Sequence, residues 1–224
     1  DIRRLRDADV VIYNGGGFEP WIDRAMASGG KVSRIVVQAA PGKKEVDSHQ
    51  ADPHVWLDPL EAVEQAKLIR NGLSEARPAE AERFNANAGA LIGDLELLHG
   101  SYQQGLASCR RTAFATSHAA FGHLAQRYGL AQVPIAGLSP EAEPSPGELA
   151  AIAERLRGLG VKHIMVEPII SQEMSKTLAK EIGAELLPLH PLESLTTEEA
   201  QRGETYFTVM EANLRSLRTA LECA

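Results

Sequence analysis

Apolar and polar positions follow two regimes along the chain. Short apolar, β-branched runs at Val10–Tyr13, Arg34–Val37, Thr112–Thr116, His163–Val166 and Glu185–Leu189 each precede or follow a helical stretch. Strands alternating with helices predict parallel α/β architecture. Ser145-Pro146-Gly147-Glu148 is a capping-box pattern with proline at the first helical position, so a helix starts there. Its buried stripe is Leu149, Ile152, Ala153 and Leu156, and Gly158 or Gly160 ends it. Further helices are expected over Leu60–Leu73, Ala119–Tyr128 and Tyr206–Leu221.

One segment breaks the alternation. Across 79–107 there is no strand pattern and no proline, and Phe84, Ala88, Leu91, Leu95, Leu98, Tyr102 and Leu106 recur at steps of three and four. A helix of that length spans roughly 43 Å at ~1.5 Å per residue. Gly89, Gly93, Gly100 and Gly105 each weaken it by ~1 kcal/mol relative to alanine, so packing must hold it. The expected fold is therefore α/β in two lobes, each a parallel-type sheet flanked by helices. Residues 1–78 belong to the N-terminal lobe, 79–107 to a connecting spine helix, and 108–224 to the C-terminal lobe.

Composition narrows the function. The 224 residues carry a net charge of −7, with 44% hydrophobic and 24% charged positions, which suits a folded domain rather than a disordered chain. No window approaches ~18 uninterrupted apolar residues. The acidic balance, without a Lys/Arg cluster, argues against a nucleic-acid partner. Cys109 and Cys223 fit either a long-range pair in an exported protein or two buried thiols in a cytosolic one, and the residues alone leave both open. The opening stretch Asp1–Asp9 reads as the middle of a helix running into Val10–Tyr13, which predicts that an upstream segment is absent.

Three of the seven histidines sit where a ligand site needs them. His118 and His190 follow the strands Thr112–Thr116 and Glu185–Leu189 at their carboxyl ends, where parallel sheets bind ligands. His54 stands in the other block, just before a helix. Three neutral imidazoles in a cleft suit Zn2+, although a single histidine at a strand end is more often structural. His49, His99, His123 and His163 read as structural or exposed. Glu167 ends its strand at a position for a ligand, a base or a brace. Asn14-Gly15-Gly16-Gly17 resembles a phosphate turn but lacks the lysine and glycine spacing of one, so a tight turn is expected. Ser117-His118 lacks a G-x-S-x-G elbow, and H-E-x-x-H and C-x-x-C are absent.

The ordered strings Asn14-Gly15-Gly16-Gly17-Phe18-Glu19-Pro20-Trp21, Asp52-Pro53-His54-Val55-Trp56-Leu57-Asp58-Pro59, Thr116-Ser117-His118-Ala119-Ala120-Phe121, Glu167-Pro168 and Leu187-Pro188-Leu189-His190-Pro191-Leu192 carry a resemblance. Together they resemble the metal-binding solute-binding proteins of ABC importers, cluster A-I, of the zinc-uptake type. The resemblance covers essentially the whole chain. It implies two α/β lobes on a rigid helix with the metal between them, and matches the family's second, third and fourth ligands to His54, His118 and His190. At His190 the chain departs from the commoner aspartate. The first ligand falls in the absent upstream segment, and Asp47-Ser48-His49-Gln50 matches the stump of a His-rich loop.

The resemblance further implies capture of extracytoplasmic Zn2+, with Mn2+ less suited to imidazole donors, and delivery to a membrane permease. It implies an exported protein, periplasmic or anchored outside the membrane, in which a Cys109–Cys223 disulfide is expected within the C-terminal lobe. The side-chain nitrogens of the three histidines are expected within roughly 3–5 Å of one another, and binding is expected to weaken below about pH 6. The shortened start predicts weaker zinc binding and self-association. Rival readings are a zinc hydrolase with Glu167 as base, and a metal-buffering or adhesin protein on the same scaffold.

Overall fold

A computed structural model describes residues 2–27, 35–39, 52–138, 144–169 and 171–224. The chain divides into two units, Asp1–His99 and Gly100–Ala224.

In the first unit, α1 (Ile2–Asp7) leads into β1 (Val10–Tyr13), and α2 (Ile22–Ala27) precedes β2 (Ile35–Gln38). The two strands pair in parallel from Val10↔Ile35 to Tyr13↔Gln38. The helix α3 (Pro59–Ala76) packs on both. Its start is encoded locally: Asp58 accepts a hydrogen bond from the Leu60 backbone N–H at 3.0 Å, and Pro59 occupies the first helical position. Gly72 lets the helix lie close on the sheet, because a β-carbon there would collide with Val37. After a single 3-10 turn at Pro78–Glu80 comes α4, Ala81–Gly105, 25 residues without a break. The unit boundary falls inside it. Ala88, Leu95, Leu98, Tyr102 and Leu106 are buried as the periodicity predicts, whereas Leu91 is 42% exposed.

The second unit is built on four parallel strands in the order β4-β3-β5-β6. These are β3 (Ala113–Thr116), β4 (Ala131–Pro134), β5 (His163–Val166) and β6 (Glu185–Pro188). From central β3 the chain passes through α5 (Gly122–Arg127) to β4 on one side, then through α6 (Pro146–Gly158) to β5 on the other. The winding direction thus reverses at β3, and the carboxyl ends of β3 and β5 flank the point where open α/β sheets leave a crevice. Then follow α7 (Glu173–Ile182), β6, α8 (Thr197–Gln201) and α9 (Tyr206–Ala220). Ala115, Val133, Ile164, Leu156 and Leu178 form the core between strands and helices. The Ser145–Glu148 capping box is present in both directions.

Three local differences from the sequence reading have physical causes. The strand β4 is not expected from the sequence, since Ala131-Gln132-Val133-Pro134 has little β-branched character; among the described residues it pairs only with β3, and the edge of a sheet tolerates a proline. The helix after His118 begins at Gly122 rather than Ala119, because Ala119 donates its N–H to Gly137 O (2.9 Å) and Ser117 O accepts from Ala136 N (2.9 Å). His118 therefore stands on a loop tied to the neighbouring strand. The strand expected over Arg34–Val37 is Ile35–Gln38, with Arg34 outside the described residues, as is the 47–50 stretch.

Cys109 and Cys223 form a disulfide, with Cα atoms 3.8 Å apart. They face each other in an isolated antiparallel bridge flanked by Arg110 N→Glu222 O (3.2 Å) and Ala224 N→Ser108 O (3.1 Å). That pattern is the narrow, non-hydrogen-bonded pair of an antiparallel ladder. The expected pairing is confirmed, and it lies within the second unit.

Candidate metal centre

In the first unit, the string 52–59 is a set of supports around one imidazole. The Asp52 carboxylate accepts hydrogen bonds from the His54 backbone N–H (3.0 Å) and from His54 Nδ1 (2.7 Å). With the proton held on Nδ1, the lone pair is on Nε2. The ring is buried and sits 5.3 Å from the Trp56 ring, with Phe18 packed edge-on against Trp56. Asn14 donates from Nδ2 to Pro53 O (2.9 Å) and accepts from Gln65 of α3 (2.9 Å), so the turn after β1 anchors the histidine loop. Val55 and Leu57 are buried, and Asp58 and Pro59 start α3.

The Gly15–Gly17 turn is not a phosphate site. All three glycines have positive φ, and the backbone N–H groups of Asn14 and Gly15 donate to the two Glu19 carboxylate oxygens at 2.9 and 3.0 Å. The chain supplies its own anion there.

In the second unit, His118 follows β3 and is fully buried. Its loop is fixed by Ser117 N→Met165 O (3.1 Å), and its own carbonyl accepts from the Thr116 hydroxyl (2.7 Å) and from Gln132 Nε2 (2.9 Å). Nδ1 lies 2.6 Å from Glu167 Oε1, the buried carboxylate that ends β5, and Nε2 lies 3.2 Å from Glu193 Oε1. Burial alone would push the His118 pKa down. The hydrogen bonds to Glu167 and Glu193, with their negative charges, overcome it and raise the pKa to about 9. Glu167 is thus the brace among its three sequence readings.

His190, after β6, is buried and has different partners. Asn213 of α9 holds its backbone from both sides, accepting from His190 N (2.8 Å) and donating to His190 O (2.8 Å). Its Nδ1 accepts from Leu192 N (2.9 Å), which places the ring proton on Nε2, 3.4 Å from Glu199 Oε2. The lone pair a metal needs is therefore engaged by the backbone. Glu199 is held below the usual carboxylate range, first by the Thr196 backbone N–H and also by the His190 ring. Leu192 adopts φ 58°, an uncommon left-handed conformation for a branched side chain, and the turn it makes presents Glu193 to His118.

Sequence reasoning placed His118 and Glu167 at strand ends but missed Glu193. Its one signal is proximity, three residues after His190 in the same loop. Among the remaining histidines, His99 lies in α4, His123 in α5 and His163 in β5, while His49 falls outside the described residues.

The family model for zinc-uptake complex component A, periplasmic, matches residues 1–220. The chain is 37% identical to the zinc-binding lipoprotein AdcA of Streptococcus pneumoniae serotype 4, over 97% of this chain and 46% of the relative. It is also 37% identical to the high-affinity zinc uptake system protein ZnuA of Bacillus subtilis, over 99% of this chain and 74% of the relative. The chain thus spans about half the length of the AdcA relatives it matches. The crystal structure of the Zn(II)-bound ZnuA-like domain of Streptococcus pneumoniae AdcA superposes with a TM-score of 0.84 at 38% identity, covering 99% of this chain and 83% of that one.

Proposed function

The chain belongs to the family of periplasmic zinc-uptake complex component A, and on that footing we propose that it captures Zn2+ outside the cytoplasm and hands it to an ABC permease. Zinc is the cargo. The proposed ligands are Nε2 of His54, Nε2 of His118 and the Glu193 carboxylate.

The observation that carries the reading is the separation of His118 Nε2 and Glu193 Oε1, 3.2 Å. Two donors each ~2.0–2.1 Å from a tetrahedral ion stand about 3.3 Å apart, so this pair already has the spacing of two ligands on one zinc. The outer supports fit as well. His118 and His54 each direct Nδ1 to a carboxylate, Glu167 and Asp52, the arrangement that fixes the tautomer and orients Nε2 toward a metal. His190, carried forward as a candidate ligand from the sequence, fits better as a positioning residue, since Leu192 N–H holds its lone pair and the same turn carries Glu193.

Imidazole nitrogen with a single carboxylate favours zinc over Mn2+, which prefers oxygen donors in an octahedron. Cu2+ and Ni2+ bind such donors in vitro too, so selectivity in the cell rests on availability. The disulfide supports an oxidising compartment, and the AdcA relative is named a lipoprotein, which favours a protein held outside the membrane. The hydrolase reading is not favoured. The relatives are named for zinc binding and zinc uptake, and the Glu167 carboxylate is committed to His118 rather than placed to take a proton from water.

Competition titration against a zinc chelator tests the ligand set. His118→Ala and Glu193→Gln should each weaken binding, His118→Ala by more than the ~10–100-fold expected of a supporting residue. Unchanged affinity in His118→Ala would overturn the assignment.

A further inference from the structure

The second unit has a cavity of about 510 Å³ at the end of its sheet opposite His118. It lies where β5 and β6 begin and α6 and α7 end, and Arg111, Arg157, Lys162, His163 and Glu185 line it. The volume is within the ~300–1,000 Å³ range of small-molecule sites.

Its charges are unevenly matched. Arg110, Arg111 and Lys162 all converge on one carboxylate, Glu222, at 3.2, 3.0 and 3.5 Å. With Glu185 the second carboxylate at the cavity, three cations face two anions and one positive charge is left over, and like charges this close repel unless a further anion joins them. Arg157 has a structural task, since it donates to the carbonyl oxygen of Glu181 in the last turn of α7 as well as to its carboxylate. That contact caps a helix, but capping does not account for the surplus around Glu222. The site is also shaped for its guanidinium. Gly160, at φ +64°, lies under Arg111, where a β-carbon would stand 2.6 Å from Nη1. Arg111 is 17% exposed, while Lys162 is 62% exposed and able to swing onto a ligand.

We propose that this cavity binds a small oxyanion of the phosphate class through Arg111, Lys162 and Arg157, with Glu222 as an internal anion that competes for the same cations. The guanidinium of Arg111 supplies paired N–H donors in a plane that suits two oxygens of such a group. Lys162 adds a mobile point charge. Among the described residues, none of the proposed zinc ligands lines the cavity.

The test is amide NMR of the metal-free full chain titrated with inorganic phosphate, against sodium chloride at matched ionic strength. Saturable shifts are expected at Gly160, Lys162 and Gly183, with a Kd below about 1 mM. Lys162→Gln with Arg157→Gln, both at exposed positions, should weaken phosphate binding by about tenfold or more. Glu222→Gln should tighten it severalfold, a change of opposite sign that a purely structural role for the cluster would not produce. Shifts no larger than those with chloride, or equal phosphate affinity in the double variant, would overturn the proposal.

Discussion

Replacing Glu167 by Gln should change the pH profile of zinc binding rather than simply lower affinity. The carboxylate does two opposed things to His118. It orients the ring with the proton on Nδ1, which favours metal at Nε2, and it stabilises the imidazolium, which competes with metal. With the pKa at about 9 in the metal-free protein, only about one molecule in a hundred has a neutral His118 at pH 7, so zinc binding through Nε2, as proposed, displaces a proton at a cost of ~2.7 kcal/mol. Apparent affinity should therefore rise about tenfold per pH unit from pH 6.5 toward 9, well above the window near pH 6 expected from a free imidazole. In Glu167→Gln the pKa falls toward ~6.5, although Glu193 keeps part of the shift, and most of the proton competition disappears. The lost orientation still costs about 10–100-fold. The two effects offset at pH 7, where the variant should bind within about tenfold of the parent, and separate at pH 9, where the full orientation loss appears. Chelator competition from pH 6.5 to 9 reads this directly. Parallel profiles for parent and variant would mean that Glu167 does not set the protonation of His118.

The metal-free protein should itself lose stability as pH rises. His118 has a folded pKa above its unfolded value, so its contribution is fully present below pH ~6.5 and is lost through pH ~9, about 3 kcal/mol in all; urea denaturation at pH 6 and 9 measures it, and a flat profile would contradict the shift. Reduction of Cys109–Cys223, which spans 114 residues, should cost about 5 kcal/mol in the chain-entropy picture, read as a lower thermal midpoint with and without reductant. Asn213→Ala leaves both backbone groups of His190 without their partner and should destabilise by about 3 kcal/mol in chemical denaturation.

What the sequence made legible was local chemistry at strand and helix ends. Ser145 and Glu148 cap α6 because the motif is complete within four residues, and Asp58-Pro59 starts α3 for the same reason. His118 at a strand's carboxyl end and Glu167 at another's were placed by the alternation of strands with helices alone. Glu193 escaped because it reaches His118 through a left-handed Leu192, a conformation that no residue pattern announces. The surroundings of His190 are hidden from the sequence for a related reason. Its position is that of a ligand, but the backbone N–H two residues on takes its lone pair, and such a contact exists only once the turn has formed. The edge strand β4 escaped because pairing with β3, not its own propensity, makes it a strand.

The proposed ligand set is decided by anomalous diffraction at the zinc edge from crystals of the zinc-loaded protein. One strong peak is expected, with Nε2 of His54, Nε2 of His118 and a Glu193 oxygen at ~2.0–2.2 Å, and the His190 Nδ1 hydrogen bond to Leu192 intact. Zinc coordinated by His190, or a peak away from His118, would contradict it.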